Sequence, residues 1–394
     1  MEIIRFIATI ITSILFIYLG IYSLYLFIFS VAGKLVKIKT PPQSSSLAKF
    51  VIYICSYKED AIILNSAASA VTLNYPEHLF HICVIADSLK PETVAQLKQM
   101  PLQVLEVVFE SSTKSKALHK AIENTADGFD AAIVFDIDNV AAPDFLYQIN
   151  NYLQAGNRVV QGHRVAKNTN TSVAVLDAIS EEVNNHIFRK SQRVFNLSAA
   201  IIGSGMALEY KLFTQVMMRI DAVGGFDKEM GLLLTNDKIS VAYADNALIY
   251  DEKVSNKEVF KKQRRRWLSA QFNLLKKYGS SGFSALFTGK FDYLNEVYQL
   301  SILPRVLMLG LMPFMLLVSL VLPGIGPDWH LWLAATICCY IGILFAIPVT
   351  FYNKDFFGAL IRIPAIFFAM LLLLFKLKGA NKKFIHTPHT HSGK

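Results

Sequence analysis

Residues Ala131 to Asn139 read AAIVFDIDN, an unbroken apolar run that ends in two aspartates and an asparagine. Such a run, bounded by polar turn residues, is typical of a strand buried on both faces of a sheet. Asp136 and Asp138 are two positions apart, and side chains at i and i+2 of an extended chain point the same way. The stretch therefore predicts a buried strand with two convergent carboxylates at its carboxyl end.

Similar apolar runs precede this stretch, and helix-like segments lie between them. The strand-like runs are Phe50–Cys55, Phe80–Ala86 and Val104–Phe109, and the helix-like segments are Asp60–Leu73 and Lys116–Asn124. This alternation predicts an α/β domain, with a mostly parallel sheet and helices on both faces. Ligands of such sheets bind at the carboxyl ends of the strands, so the polar residues there are the candidates for a binding site.

The carboxylates of Asp136 and Asp138 suit a hard divalent cation, because Mg²⁺ takes oxygen ligands and commonly bridges to substrate phosphates. Paired aspartates also occur in solvated turns, where they bond to the local backbone. Their position directly after a strand favours the binding role.

Two short polar stretches have both a binding and a structural interpretation. Thr113-Lys114-Ser115-Lys116 precedes a helix-like segment, where a lysine and free backbone N–H groups bind phosphate, or else it is a solvated basic patch. Gly203-Ser204-Gly205 allows a ligand to approach the backbone closely, or else it forms a bulge.

A pair of carboxylates follows a flexible segment further along the chain. Asp227 and Glu229 come after Gly224-Gly225-Phe226. A carboxylate in this position suits a general base. The same pattern also starts a helix with acidic residues in its first turn.

Residues Gln263 to Trp267 read QRRRW within an amphipathic segment, residues 260–278. Guanidinium groups suit bidentate recognition of a diphosphate. Arginines and a tryptophan on such a helix also suit the lipid headgroup region of a membrane. Both roles hold together if different arginines fill them.

The composition indicates a membrane protein. Of 394 residues, 53% are hydrophobic and 18% are charged, against about 25% charged in soluble domains. These values exclude a disordered chain and a collagen-like fibre. The four cysteines show no spaced framework for disulfides or a zinc site. The net charge of +9 suits anionic lipid or a phosphate-bearing substrate.

Hydrophobic runs at both ends predict three membrane spans. Phe6–Gly33 has no charge, and Val306–Leu322 with Leu331–Asn353 reads as a hairpin. Ile363–Phe375 is short for a span and favours an interfacial or re-entrant helix. Lysines at 34, 37 and 39 place the N-terminus outside and the following domain in the cytoplasm. A fourth span would put the basic tail outside.

These segments divide the chain into seven parts. They are an N-terminal transmembrane helix (1–39), a linker (40–47), the α/β domain (48–257), amphipathic interfacial helices (258–300), a transmembrane hairpin (301–353), an interfacial or re-entrant helix (354–378) and a basic tail (379–394).

In their order and spacing these motifs resemble those of membrane-embedded family 2 glycosyltransferases, the group that holds cellulose, hyaluronan and chitin-oligosaccharide synthases. The resemblance rests on Asp136-Ile137-Asp138 and on Gln263, Arg266 and Trp267, about 125 residues further on. It covers about residues 48–275 and extends to the flanking helices by layout. It implies a GT-A fold and inverting transfer of a sugar from a nucleoside diphosphate donor.

The resemblance implies a role for each motif residue. The first strand of the family ends in Pro-x-Tyr-Asn-Glu, and here the stretch reads Cys55-Ser56-Tyr57-Lys58-Glu59. Tyr57 and Glu59 are then expected to contact the uracil of a UDP-sugar. The full set of residues implied to bind the donor is Tyr57, Glu59, Asp87, Lys116, Asp136, Gln263, Arg266 and Trp267.

The remaining implied roles concern the metal, the acceptor and the base. Asp138 would hold Mg²⁺ or Mn²⁺, and Gly203-Ser204-Gly205 with Trp267 would lie beside the acceptor. The family carries Thr-Glu-Asp with the aspartate as base, whereas this chain has Phe226-Asp227 followed by Glu229. Asp227 aligns best with the base, and Glu229 is the alternative.

Three functions are consistent with the sequence. The first is a processive synthase of a β-linked polysaccharide or oligosaccharide, the second is single transfer to a membrane lipid, and the third is a non-catalytic scaffold or regulator. The expected partners are a UDP-sugar, a growing glycan or lipid-linked acceptor, membrane lipid, and a second copy or an export partner. No nucleic acid is needed to explain the charge. The expected location is a bacterial inner (plasma) membrane with the catalytic domain in the cytoplasm.

Overall fold

The computed structural model describes residues 2–376, so the predicted tail at 379–394 lies outside the described residues. Within that range eight strands form one mixed sheet in the order β3-β2-β1-β4-β7-β6-β8-β5. The strands are β1 (Phe50–Tyr57), β2 (Phe80–Asp87), β3 (Gln103–Val107), β4 (Ala131–Phe135), β5 (Val140–Ala141), β6 (Val159–Ala166), β7 (Met206–Glu209) and β8 (Ala242–Asp251). The four predicted strands are confirmed.

Helices cover both faces of the sheet and continue beyond it at both ends of the chain. They are α1 (Glu2–Leu35), α2 (Asp60–Val71), α3 (Pro91–Leu97), α4 (Lys114–Glu123), α5 (Phe145–Gln154), α6 (Ser172–Asn184), α7 (Ser191–Val194), α8 (Tyr210–Met217), α9 (Phe226–Asn236), α10 (Lys257–Ala285), α11 (Phe291–Ser301), α12 (Arg305–Val321), α13 (Trp329–Ala346), α14 (Lys354–Leu360) and α15 (Ile363–Leu374). Short helical turns occur at Glu77–Leu79, Asn185–Lys190 and Val349–Phe351.

The register of the parallel strands brings their carboxyl ends to one edge. β1 lies between β2 and β4 and runs parallel to both. Tyr57, the last residue of β1, pairs with Asp87, the last residue of β2. Ile54 of β1 pairs with Phe135, so Asp136 follows at the same edge. β7 is antiparallel to β4, and Met206 at its start pairs with Val134, so the loop before β7 reaches the same edge.

The sheet is held by two apolar layers, one on each face. All five residues of β4 are buried, as expected for a central strand covered on both sides. One layer includes Ile52, Ile133 and Phe145, and the other includes Tyr53 and Val134. Alternate residues of the same strands therefore enter different layers, which fixes the register, because a shift of one residue would exchange them.

Two helices are long and apolar enough to cross a membrane, α1 and α13, judged by length and composition over the described residues. Two bent pairs, α11 with α12 (72°) and α14 with α15 (48°), would bring the total to four if each pair were one span. The predicted hairpin corresponds to α12 and α13. The three-span arrangement stays a prediction.

α1 and α13 pack against each other at close range. A Cβ added at Gly342 of α13 would lie 2.8 Å from the backbone carbonyl carbon of Leu26 in α1. A side chain larger than hydrogen cannot fit there, so the glycine sets the distance between the two helices. Trp332 is fully buried in the same cluster and meets Phe16 edge to face, with ring centroids 5.0 Å apart.

The C-terminal end of α1 is fastened to the α/β domain. A Cβ at Gly33 would overlap the hydroxyl of Ser191, so the helix touches the segment around α7 directly. His186 bonds through Nε2 to the carbonyl oxygen of Ser30 at 2.8 Å. The other end of α1 reaches the turn between α12 and α13, where Arg5 donates to the carbonyl oxygen of Gly324. The helices therefore extend away from the sheet as one group.

An ionic cluster away from the strand ends links β6, β8 and α6. His163 contacts Glu182 (Nε2–Oε2 3.3 Å) and Asp245 (Nδ1–Oδ1 3.3 Å), and Lys190 also pairs with Asp245 at 2.7 Å. Burial alone lowers the pKa of His163, but its hydrogen bonds with Asp245 and Glu182 outweigh burial and raise the pKa to about 9. The imidazole is therefore charged in the folded protein at neutral pH.

This cluster predicts a loss of stability at alkaline pH. The folded-state pKa of His163 is above the unfolded value, so its contribution is complete below about pH 6.5 and is lost as the pH rises through about 9. The contribution is on the order of 3 kcal/mol at most. We expect the melting temperature of the full chain in detergent to fall between about pH 6 and pH 10, and to fall less in His163→Gln. An equal fall in the variant would contradict the assignment.

Candidate active site

A cavity of about 970 Å³ opens at the carboxyl ends of β1, β2 and β4. Most of the residues singled out from the sequence lie on its wall. Those that line it are Tyr57, Glu59, Asp87, Asp136, Asp138, Gly203, Asp227, Gln263, Arg266 and Trp267. Four others, Lys116, Glu229, Ser204 and Gly205, are not part of the wall.

The turn after β4 holds both aspartates at the cavity. The backbone N–H of Asp136 donates to Oδ1 of Asn139 (3.0 Å), and the N–H of Asn139 donates to the carbonyl oxygen of Asp136 (3.1 Å). Asp138 is 6% exposed and accepts from the N–H of Glu252 at 3.3 Å. Both aspartates line the cavity at this strand end, but Asp138 lies in a turn, so the extended geometry expected from the sequence is not what brings it there.

Lys114, and not Lys116, is the lysine at this turn. Its Nζ pairs with Oδ1 of Asp136 and donates to the carbonyl oxygen of Gly203 at 2.8 Å. Burial alone lowers the pKa of Lys114, but the carboxylate of Asp136 outweighs burial and raises the pKa, so the amine stays charged. Lys116 instead donates to the carbonyl oxygen of Ser111 at 3.1 Å, on the outside of α4.

The Gly203-Ser204-Gly205 stretch serves two purposes. Gly203 lines the cavity, and a Cβ there would lie 3.2 Å from Cβ of Asp227. Ser204 is fully buried behind the wall and bonds to Oδ1 of Asn139. Gly205 has φ +60°, and a Cβ there would lie 2.8 Å from Ile249. Only Gly203 can meet a ligand, whereas the other two positions shape the loop.

The two candidate bases are separated by the structure. Asp227 lies in the first turn of α9, faces the cavity and neighbours Gly203. Glu229 points to the other side of that helix, where its Oε1 accepts from Lys277 Nζ (2.6 Å) and from the Tyr278 hydroxyl (2.7 Å). The geometry therefore favours Asp227 as the carboxylate available to a bound hydroxyl.

The three arginines of QRRRW take three different positions on α10. Arg264 pairs with Asp177 and stacks on the rings of Phe260 (4.7 Å) and Trp267 (4.5 Å). Arg265 faces outward and donates to the carbonyl oxygen of Lys376 at 2.8 Å. Arg266 lines the cavity. Different arginines thus have different surroundings, as the sequence allowed.

Asp136 and Asp227 lie within electrostatic range of Arg266, and all three residues line the cavity. Burial lowers the pKa of Arg266, and the charges of Asp136 and Asp227 act against that shift. Lys114 and Arg266 therefore place two positive charges beside Asp136, in a setting suited to an anionic ligand.

A buried charge network behind Asp138 leaves no sign in the sequence. Its members line the cavity and are Arg164, Arg189, Lys253, Glu181 and Asp251. Arg164 pairs with Glu181 at 2.8 Å, and Lys253 pairs with Asp251 at 2.7 Å. Burial alone raises the pKa of Glu181, but Arg164 and Arg189 hold it well below its usual value. The network itself holds three cations and two carboxylates, so it carries one excess positive charge.

The cavity continues from the strand ends into the helices at the C-terminal end of the chain. This second part is lined by apolar side chains from α6, α12, α13, α14 and α15. One from each helix is, in that order, Ile179, Leu309, Ile343, Phe356 and Ile366. We call the part at the strand ends the polar half and this part the apolar half.

The chain matches the sequence profile of the family described as "Glycosyltransferase like family 2" over residues 48–270, which is more than half of its length. The chain belongs to this glycosyltransferase family. The match covers every strand of the sheet and the QRRRW motif. A search of curated protein sequences finds no significant match.

Two solved glycosyltransferases are similar to this chain. The mannosyltransferase PcManGT from Pyrobaculum calidifontis, solved with GDP-Man and Mn²⁺, is 12% identical, with 91% of this chain and 98% of that chain covered and a TM-score of 0.57. Glucosyl-3-phosphoglycerate synthase from Mycobacterium tuberculosis, solved with Mn²⁺, UDP and glucosyl-3-phosphoglycerate, is 16% identical, with coverages of 59% and 80% and a TM-score of 0.41. The first likeness confirms the GT-A-like fold expected of this glycosyltransferase.

The family implies a divalent cation, and the donor set of the glycosyltransferase suits one. Asp138 offers a buried carboxylate on the cavity wall. Within residues 2–376 no cluster of three or more His, Cys, Asp or Glu side chains forms an all-protein metal cage. Mg²⁺ is commonly held by one or two carboxylates together with substrate phosphates. The residues therefore fit a cation that arrives with a diphosphate ligand.

The two lysines at the start of α4 provide a matched test. We expect Lys114→Gln to lower kcat/KM of the glycosyltransferase for its sugar donor roughly 100-fold, because it removes a charge beside Asp136. Lys116→Gln should stay within about twofold, because its amine faces away from the cavity. Steady-state kinetics of both variants decide the matter. If Lys116→Gln lost more activity than Lys114→Gln, Lys116 would be the lysine that acts on the donor, as the sequence motif implied.

Proposed function

We propose that the protein is a membrane-bound inverting glycosyltransferase that transfers one sugar from a UDP-sugar to a lipid acceptor. The observation that carries the proposal is the single cavity, whose polar half holds the family motifs and whose apolar half lies among the C-terminal helices. A donor that is anionic and an acceptor that is apolar are the two ligands that these halves suit.

The polar half supports a nucleoside diphosphate donor. Tyr57, Glu59 and Asp87 stand at the ends of β1 and β2, in the position for the uracil and the ribose. Lys114 and Arg266 flank Asp136 and suit the diphosphate. The family motifs thus offer contacts for the uracil, the ribose and the diphosphate of a UDP-sugar.

The proposed reaction is one displacement. Asp227 accepts the proton of the acceptor hydroxyl while its oxygen forms a bond to the anomeric carbon. The bond from that carbon to the phosphate oxygen breaks, and UDP leaves from the opposite face, which inverts the configuration. Lys114 and Arg266 stabilise the charge that develops on the diphosphate. A Mg²⁺ or Mn²⁺ ion on Asp138 would supply further neutralisation of that charge.

The apolar half favours a lipid over a growing polysaccharide. A sugar chain carries hydroxyl groups that need hydrogen-bond partners, and polar groups without partners are costly to bury. The side chains from α12 to α15 on this wall are mostly apolar. An acyl or prenyl chain, by contrast, is stabilised by such a wall.

The basic residues at the end of α1 and just after it support an orientation in the membrane. Lysines at 34, 37 and 39 place the catalytic domain on the cytoplasmic side, where UDP-sugars are made. α1 leads directly into that domain, so the cavity lies at the cytoplasmic face of the membrane.

One observation favours a β-linked polysaccharide or oligosaccharide as the second candidate product. Gln263, Arg266 and Trp267 all line the cavity, as expected if the indole supports the terminal sugar of a growing chain. Product length separates the two candidates, because single transfer leaves a lipid that bears one added sugar.

The test is UDP release and labelled lipid product from purified full-length protein, over a panel of UDP-sugars with Mg²⁺ or Mn²⁺ and a membrane lipid extract. We expect Asp227→Asn to lower kcat by about three orders of magnitude or more, with the KM for the donor nearly unchanged, because only the proton acceptor is lost. Asp138→Asn should lower the affinity for metal and donor.

Glu229→Gln is the matched control, because Glu229 lies close in sequence to Asp227 but bonds to Lys277 and Tyr278. We expect the transfer rate of Glu229→Gln to stay within about threefold of the parent's, and its melting temperature to be lower. An inactive Glu229→Gln beside an active Asp227→Asn would reverse the assignment of the base. If the parent protein bound no UDP-sugar, the result would favour the third function, a non-catalytic scaffold or regulator.

A further inference from the structure

At the junction of the two halves, three residues on the cavity wall have a buried donor atom without an acceptor among the described residues, and a fourth, Arg305, bonds to neutral groups. These four residues, which we call the neck, are Tyr22 of α1, Arg264 of α10, Gln299 of α11 and Arg305 of α12. We infer that the acceptor lipid carries a phosphate group between its apolar chain and its reacting hydroxyl, and that Arg305 and Tyr22 bind this phosphate. The inference rests on the proposed function, whose lipid acceptor it specifies.

Arg305 is a cation whose fixed partners are neutral. Its guanidinium donates to Oδ1 of Asn184 (2.6 Å) and to the carbonyl oxygen (2.8 Å) and hydroxyl (2.9 Å) of Ser180. No carboxylate oxygen of the described residues lies within 4.0 Å of its nitrogens. By contrast, Arg164 and Arg264 on the same wall each pair with a carboxylate. An uncompensated cation beside an apolar chamber favours an anionic ligand.

Tyr22 provides a second, independent observation. Its side chain is 1% exposed and lines the cavity, and its hydroxyl has no hydrogen-bond partner in the part of the chain that the structure describes. Tyr22 also lies within electrostatic range of Arg305. Buried hydroxyls are nearly always paired, so this one is suited to an oxygen atom of a ligand.

Arg264 and Gln299, the other two members of the neck, also have a buried donor atom without an acceptor in the described part of the chain. The Nε of Arg264 and the Nε2 of Gln299 are buried and lack acceptors among the described residues. Water can accept hydrogen bonds from all of these groups, but it leaves the charge of Arg305 unbalanced. A phosphate both accepts the hydrogen bonds and balances the charge, because its oxygens accept from arginine and hydroxyl donors together.

The position of the neck fits a lipid phosphate better than a donor phosphate. Arg305 lies within electrostatic range of Glu181 and Arg189, which belong to the polar half. One turn further along α12, Leu309 belongs to the apolar half. Arg264 stacks on Trp267, so the neck also meets the active site. A lipid with its chain in the apolar half and its hydroxyl at Asp227 would place a phosphate here.

The experiment compares lipid binding by the full chain in detergent, followed by native mass spectrometry. The probes are a long-chain prenyl monophosphate, the prenol of the same chain length, phosphatidylglycerol and inorganic phosphate. We expect the prenyl phosphate to bind at least tenfold tighter than the prenol, because only the phosphate meets Arg305. Inorganic phosphate should bind far more weakly, since it gains nothing from the apolar half.

Three variants and one control assign the effect to the neck. Arg305→Gln should weaken prenyl phosphate binding about 10- to 100-fold and leave prenol binding unchanged. Arg305→Lys keeps the charge but loses the guanidinium group. Its affinity for prenyl phosphate should lie between those of the parent and of Arg305→Gln. Tyr22→Phe removes only a hydroxyl that lacks a partner, so it should fold normally and lose severalfold in affinity. Arg219→Gln changes an arginine exposed on the surface and paired with Asp237, and should bind as the parent does.

The outcomes are distinct. Equal binding of prenyl phosphate and prenol, or unchanged binding by both Arg305→Gln and Tyr22→Phe, would overturn the inference. Phosphatidylglycerol also carries a phosphate between apolar chains and hydroxyl groups, so its binding with the same dependence on Arg305 would support the inference and would identify a phospholipid as the acceptor. Separate measurement of UDP-sugar binding tests the proposed function. If the parent protein bound prenyl phosphate but no UDP-sugar, the proposed function would be rejected, whereas the inference about the neck would stand.

Discussion

The side chain of Asn139 is the constraint on which the active site depends. Its Oδ1 accepts from the backbone N–H of Asp136 (3.0 Å) and from the Ser204 hydroxyl, and its Nδ2 donates to Asp251 at 3.2 Å. One amide, 3% exposed, therefore joins the turn after β4, the Gly203 loop and the end of β8. The bond with Ser204 is buried and the other two are partly buried, so loss of the amide would leave polar groups without partners, at about 1–3 kcal/mol for each buried group.

The two halves of the cavity differ in polarity, which suits them to unlike ligands. At the polar half, cations such as Lys114 and Arg266 lie among carboxylates that include Asp136, Asp138 and Asp227. Charged groups of both signs disfavour an apolar chain, and the cations among them suit a diphosphate. Beyond the neck the wall becomes apolar, and it suits an apolar chain instead.

Much of the fold could be predicted because its central strands are buried on both faces and read as unbroken apolar runs. The strands β6, β7 and β8 were harder, since they carry polar residues such as Gln161 and Arg164 that are buried by partners distant in sequence. The long apolar helices α1 and α13 were visible by length. The bend between α11 and α12 falls at Pro304, the residue before α12, but its angle of 72° follows from no pattern along the chain.

The site shows where sequence reasoning reaches its limit. Lys114 and Lys116 both lie in the first turn of α4, two positions apart, and successive helical positions differ by about 100°, so the two side chains point to different sides. Which one meets the cavity depends on where α4 begins, and the Thr113 hydroxyl sets that point by accepting from the N–H of Lys116. Likewise, Asp227 and Glu229 differ in the side of α9 that they occupy. The charge network left no local pattern at all.

An experimental structure of the full chain with Mn²⁺ and an unreactive UDP-sugar analogue tests the central claim most directly. The account predicts uridine at Tyr57 and Asp87, the diphosphate between Lys114 and Arg266, and the anomeric carbon facing Asp227 across the cavity. It also predicts that the acceptor side of the sugar opens toward the neck. A nucleotide bound elsewhere, or a sugar whose anomeric carbon faces away from Asp227, would contradict the account.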